Sequence, residues 1–263
     1  MASEYYLNGV PLDDPAGRWF VTSETLLPTL GSPRNISTVV PLRSGVMPLA
    51  PVAVEPFQVT VKMVVQDSGQ GRGGLDRNWW ALIRSVRQLG RLLKMQYRPP
   101  GGTAKEALVR LSSSVEPTFH YFENMIETTL VFEGVEGFWR DEYESEADLK
   151  NLGLMVGSAL PINDAVIDIE TPSRIMKITD VASGLSLSWN GVIPPDTYHM
   201  VINCYDYTVH LGSTWWAATG PDVGADLSVP PGGWSFTPDA LGNFRVKTEG
   251  VNANARVKFR RHY

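Results

Sequence analysis

The sharpest candidate for chemistry in this chain is Gly69-Gln-Gly71-Arg-Gly-Gly74, a G-x-G-x-x-G run between an alternating segment and an amphipathic one. In a dinucleotide-binding fold, glycines so spaced let the backbone approach a pyrophosphate at a helix N-terminus. The context opposes that use. Residues Gln58 to Gln66 alternate apolar with polar, whereas the first strand of a parallel sheet is buried on both faces and reads as a continuous apolar run. After the helical segment comes Tyr97-Arg-Pro-Pro-Gly-Gly102, not a strand ending in the acidic residue that a ribose needs. A glycine-rich loop is the expectation, with no cofactor.

Other reactive side chains assemble no better. His120, His199, His210 and His262 lack metal-ligand spacing, and the single Cys204 cannot build a thiolate site. His199 and Cys204, five residues apart on one short strand, point to opposite faces. Ser112-Ser-Ser114 has no glycines of a nucleophile elbow, and Glu142 and Glu144 sit in a charge run. The sequence therefore predicts no catalytic residues, no metal site and no enzyme.

Two groups of residues read better as contacts. Arg84, Arg87, Arg91, Lys94 and Arg98 fall on adjoining positions of one side of a predicted helix. A solvated face explains them in an isolated domain; in an assembly they could meet the acidic run Glu133–Asp148 of a neighbouring subunit. Trp215-Trp216 predicts at least one exposed ring, suited to packing on a partner chain or to stacking on a sugar.

These residues need a scaffold, and composition bounds it. The chain has 263 residues, 43% of them hydrophobic and 19% charged, enough for one large or two ordinary globular domains. Its 24 Gly and 19 Pro suit many short strands joined by turns. A formal charge of -5 gives no global attraction to nucleic acid or to an anionic membrane, and one cysteine excludes an intrachain disulfide. With no long apolar run and no leader-like N-terminus, the expectation is a soluble protein without a standard export signal.

Residues 1–150 read as α+β. Strands are predicted at Tyr5 to Val10, Trp19 to Thr25, Gln58 to Gln66, Leu108 to Ser113 and Glu127 to Phe132. One helix is predicted at about 76–97, N-capped by Asp76, with Trp79, Leu82, Ile83, Val86, Leu89 and Leu93 on its apolar face. Between Asn35 and Pro56, Pro41, Pro48, Pro51 and Pro56 forbid a continuous central strand and predict an extended arm or long loop. The acidic run Glu133–Asp148 reads as the joint between halves. Residues 151–263 carry no helical pattern and at least seven short strands, including Trp234 to Thr237, the signature of a β-sandwich.

Within that second half, Leu185-Ser-Leu-Ser-Trp189-Asn-Gly-Val-Ile-Pro-Pro195-Asp runs into two further strand-like segments, Tyr198 to Asn203 and Tyr205 to Leu211. This order resembles the galectin-like β-sandwich at the C-terminus of siphophage distal tail proteins. The Tyr-Leu-Asn-Gly opening, proline-bearing arm, alternating strand and long helix resemble the belt domain of the same family. Gly9-Val-Pro-Leu-Asp-Asp-Pro15 is similar in style to minor tail proteins of phages infecting actinobacteria. The resemblance implies a belt-like ring-forming domain at 1–150 and a galectin-like sandwich at 151–263. It also implies a homohexameric ring at the distal end of the virion tail, made in the host cytoplasm. Such a ring joins the tail tube protein to the baseplate hub, could hold side fibres, and leaves a lumen for the tape measure protein and for DNA, which passes without specific binding. Arg84, Arg87, Arg91, Pro41, Pro48 and Pro51 are then candidate inter-subunit contacts, and Trp215 and Trp216 candidate exposed aromatic contacts. The competing readings are a carbohydrate-binding adhesion module for host cell-wall glycan and, behind it, a nucleotide-dependent enzyme using the Gly69 loop.

Overall fold

A computed structural model describes residues 4–23, 25, 33–34, 37–39, 46–48, 53–87, 91–195, 197–251 and 254–263. The protein is mostly β-sheet, with one α-helix among the described residues, and divides into two compact units, Met1–Glu142 and Tyr143–Tyr263. The division falls inside the acidic run.

The first unit holds β1 (Tyr5–Leu7), β2 (Val10–Pro11), β3 (Trp19–Val21), β4 (Pro33–Arg34), β5 (Ser37–Val39), β6 (Val46–Pro48), β7 (Ala53–Val54) and β8 (Phe57–Gln66). Helix α1 (Gly71–Val86) follows, then β9 (Leu93–Tyr97), β10 (Lys105–Leu111), β11 (Pro117–His120), β12 (Met125–Gly134) and β13 (Arg140–Asp141). Nine strands form one antiparallel sheet ordered β2-β1-β9-β10-β12-β8-β3, with β11 beside β12 and β13 beside β10. Its spine is the ten-residue pairing of β8 with β12. Val59, Val61, Met63 and Val65 of β8 are buried on the expected period of two. Leu75, Trp79, Leu82, Ile83 and Val86 of α1 are buried as well, each contributing about 1.5–3 kcal/mol on burial.

Several expectations are corrected here. The helix occupies 71–86 rather than about 76–97, and Asp76 lies inside it rather than capping it. Leu93 belongs to β9, where Leu93 and Met95 are buried while Lys94 is exposed. The four-residue step from Leu89 to Leu93 continues a helical face, while Leu93-Met95-Tyr97 equally fits a strand; Gly90 is the stop signal in the sequence. Tyr5 to Val10 is a hairpin, not one strand. Asn8 (φ 50°) and Gly9 (φ 81°) form a two-residue turn whose positive angles match the strand twist. Between 33 and 54 the chain folds back as two nested antiparallel pairs, β4 with β7 and β5 with β6.

The second unit contains β14 (Ser145–Asp148), β15 (Val166–Glu170), β16 (Ile175–Asp180), β17 (Ser186–Asn190), β18 (His199–Asn203), β19 (Val209–Gly212), β20 (Leu227–Ser228), β21 (Val246–Glu249) and β22 (Ala255–Phe259). Two antiparallel sheets result, β14-β22-β15-β18-β19 and β20-β17-β16-β21, and the inward residues of both form one apolar cluster around Trp189, Trp234 and Phe236. The unit is thus a two-sheet sandwich. Trp234 to Thr237 makes only an isolated bridge, Phe236 to Ile162. The acidic run holds the boundary between the units, but much of it is strand rather than linker. Glu133 lies in β12, and β14 opens the second unit's sheet.

Candidate functional site

The glycine run shows how this sequence spends a helix N-terminus. Asp67 Oδ1 accepts a hydrogen bond from Gly69 N (3.0 Å) and Oδ2 one from Gly71 N (3.1 Å). The chain's own carboxylate thus takes donors a pyrophosphate would need, at the end of α1 where the dipole favours negative charge. The strand before it, β8, has antiparallel neighbours on both sides. Gly74 is required because a Cβ there would lie 2.6 Å from Asp67 O and from Gln70 Cβ.

The expected basic stripe is divided. Arg84 and Arg87 extend from the end of α1, and Arg91 follows in the connection to β9; all three are exposed. Lys94 instead stands on β9, with Nζ 3.0 Å from the buried Glu106. Arg98 makes a two-point pair with Glu142, and Gln96 donates to the same carboxylate at 2.7 Å. The Arg98 guanidinium, through hydrogen bonds, holds the Glu142 carboxyl below its ordinary range. The acidic run is largely neutralised within its own unit too, since Glu133 pairs with Arg110 (2.6 Å) and Glu146 with Arg256 (2.9 Å). Little of it is left to meet a neighbour.

Beside the end of α1 lies a cleft of about 720 Å³, walled by Trp79, Trp80, Ile83 and Leu92 and rimmed by Arg87 and Arg91. At the opposite end of the helix, the turn between β11 and β12 presents Tyr121, 71% exposed, and Phe122, fully exposed. Arg72, one residue into α1, packs its guanidinium 4.6 Å from the Phe119 ring centre and 5.3 Å from that of Tyr121. This tip escaped the sequence-based expectations. Phe119-His-Tyr-Phe-Glu-Asn124, three aromatics ending at a turn-forming Asn, is the signal that could have found it.

Of the arm, Pro48 ends β6, whereas Pro41 and Pro51 lie outside the described residues. In the second unit, Trp215 and Trp216 are half-buried on a loop over the outer face of the five-stranded sheet. Beneath it Asp168 is fully buried, accepting from Trp216 N and pairing with His199 Nδ1 at 3.0 Å. Burial raises the Asp168 pKa above the usual carboxylate value, although both partners pull it down. The Trp215 ring packs against His199 (4.6 Å) and under the Arg256 guanidinium (4.6 Å), and Lys258 Nζ sits 4.2 Å from the Trp216 ring centre. Trp216 has φ 63°, unusual for a bulky side chain and sustained by these contacts. Cys204, on the inward side, is buried in the core, and desolvation pushes its thiol pKa up.

The arrangement offers docking surfaces and no reacting centre among the described residues. No family model matches the sequence, and no curated protein matches it. A solved structure does: the SPP1 Dit protein (gp 19.1), described as a paradigm of the hub adsorption apparatus in Gram-positive infecting phages. It superposes with a TM-score of 0.65 at 11% identity, covering 99% of this chain and 98% of that one. The chain has the fold of SPP1 Dit. A second match, the phage p2 baseplate in its activated conformation with Sr, has a TM-score of 0.40 at 11% identity over 93% and 91% of the two chains, too distant to add to the first. The likeness to SPP1 Dit runs through both units, and at 11% identity it resides in the course of the backbone.

Proposed function

We propose that this chain is a structural component of a siphophage tail tip, a distal tail protein at the distal end of the virion. Copies close into a ring, a hexamer by the family resemblance, that joins the tail tube protein to the baseplate hub. The lumen stays open for the tape measure protein and for DNA. The nine-stranded unit plays the belt and the two-sheet sandwich the galectin-like domain, facing outward and available to side fibres. The observation that carries this reading is the end-to-end fold match to SPP1 Dit. Local chemistry agrees with it. The only G-x-G-x-x-G run is occupied by Asp67, and the surface features are an aromatic tip, an apolar cleft and a paired arm.

A ring needs a head-to-tail interface, in which two different patches of one chain meet. The arm Asn35–Pro56 is the segment assigned to reach a neighbour. Light scattering on the purified chain at two concentrations is expected to give a six-copy mass. Deleting residues 35–56 is expected to give monomers whose second unit still folds. Wild-type protein that stays monomeric with and without a tail tube partner would sink the reading.

The rival, a glycan-binding adhesion module, needs a free aromatic face. Trp215 has His199 and Arg256 against it and Trp216 has Lys258, an arrangement that favours packing over sugar stacking. A cell-wall pull-down abolished by replacing both Trp residues would reverse that preference.

A further inference from the structure

We propose that the Tyr121–Phe122 tip of one copy seats in the cleft at the end of α1 of the neighbouring copy. This rests on the ring reading and names one contact between neighbouring copies. Phe122 is fully exposed at the end of a two-stranded turn, where a large apolar ring gains nothing from water. The cleft, about 720 Å³, presents Trp80 and Leu92, each about half exposed.

The tip does not fill the cleft of its own copy, since Phe122 is fully exposed there. Arg72 holds Phe119 and Tyr121 near the start of α1, while the cleft runs from Trp79 to the end of the helix and meets the hairpin only at Pro117, at its base. A knob and a hole at different places on one unit are the geometry of a heterologous interface, which propagates around a ring.

Charge fits as well. Glu123 and Glu127 flank the tip, with side chains 64% and 51% exposed and His120 between them. Arg87 and Arg91 rim the cleft, and neither has an ion-pair partner among the described residues. Acidic residues beside an aromatic anchor thus face free arginines beside an aromatic-lined cleft. Of the basic residues that the sequence singled out, Arg87 and Arg91 meet the tip rather than the acidic run.

The test is cross-linking in mixed assemblies. Chains carrying Glu123→Cys are co-expressed with chains carrying Ser113→Cys, an exposed residue on the cleft wall, and treated with a short bis-maleimide. The native Cys204 is buried and stays silent. A covalent dimer in mixed rings, absent from rings of either variant alone, is the expected result. Phe122→Ala should also raise the dissociation constant of the ring about 30-fold or more, as for a buried aromatic anchor, with an unchanged circular dichroism spectrum. Mixed rings that form without the cross-link, or Phe122→Ala rings as stable as wild type, overturn the tip contact and leave the ring reading standing. Wild-type protein that never assembles overturns both.

Discussion

Asp168 concentrates much of what holds the outer face of the second unit. Its carboxylate has no exposure, yet it fastens a loop and orients a histidine. Removing it leaves Trp216 N without its acceptor and His199 Nδ1 without its partner, a cost of about 1–3 kcal/mol. Asp168→Ala is therefore expected to lower the melting temperature and to shift tryptophan emission to the red as Trp215 and Trp216 become wetted, with the sandwich still folded. Unshifted emission would show that the ring contacts hold the loop unaided. Glu142 carries a pH signature. Arg98 depresses its folded pKa, so its contribution is present above the ordinary carboxylate range and is lost as pH falls through the lowered value. Glu142→Gln should cost about 1–2 kcal/mol at neutral pH, and the gap from wild type should close on acidification. Thermal melts across that range check the sign.

At the scale of elements, two adjacent glycines make opposite predictions. Gly73 is helical with open space at its Cβ position, so Gly73→Ala should stabilise by about 0.4–1 kcal/mol. Gly74→Ala drives a methyl into Asp67 O and should destabilise by about 1–3 kcal/mol. Denaturant melts of both variants separate helix propensity from close packing. What the sequence made legible follows the same division. Strand β8 was readable because its two faces have different surroundings and its residues alternate accordingly. The end of α1 was not, because Leu89 and Leu93 satisfy two periods at once. Tyr205 to Leu211 looked like one strand, but β19 begins at Val209, after Tyr207 turns left-handed (φ 57°) and its hydroxyl accepts from Trp234 N at 2.7 Å. Such a side-chain-to-backbone tie leaves no periodic trace. Nor does an exposed aromatic tip, since Phe122 in a short alternating run reads like any core residue.

For the whole molecule, the sequence carried the order of its parts better than their contacts. A mixed helix-and-strand half followed by an all-strand half was visible because the apolar period changes between them. The partner of Lys94 could not be placed in that way: Lys94 and Glu106 stand on different strands and meet only through the pairing of β9 with β10. Contacts between copies are further removed still, because they depend on surfaces that come together only after folding. Assembly is accordingly the property to measure first, by native mass, before any single substitution is interpreted.

The placement of β22 has a kinetic consequence. It fills the gap between β14 and β15, and its residue Arg256 meets Glu146 across 110 positions of chain. At a synthesis rate of about 5–20 residues per second, β14 waits roughly 5–20 s on the ribosome for its sheet neighbour. The first unit, whose pairings end by Asp141, can close during that interval. The two units thus fold one after the other, and the slow, long-range closure of the second paces the maturation of each copy.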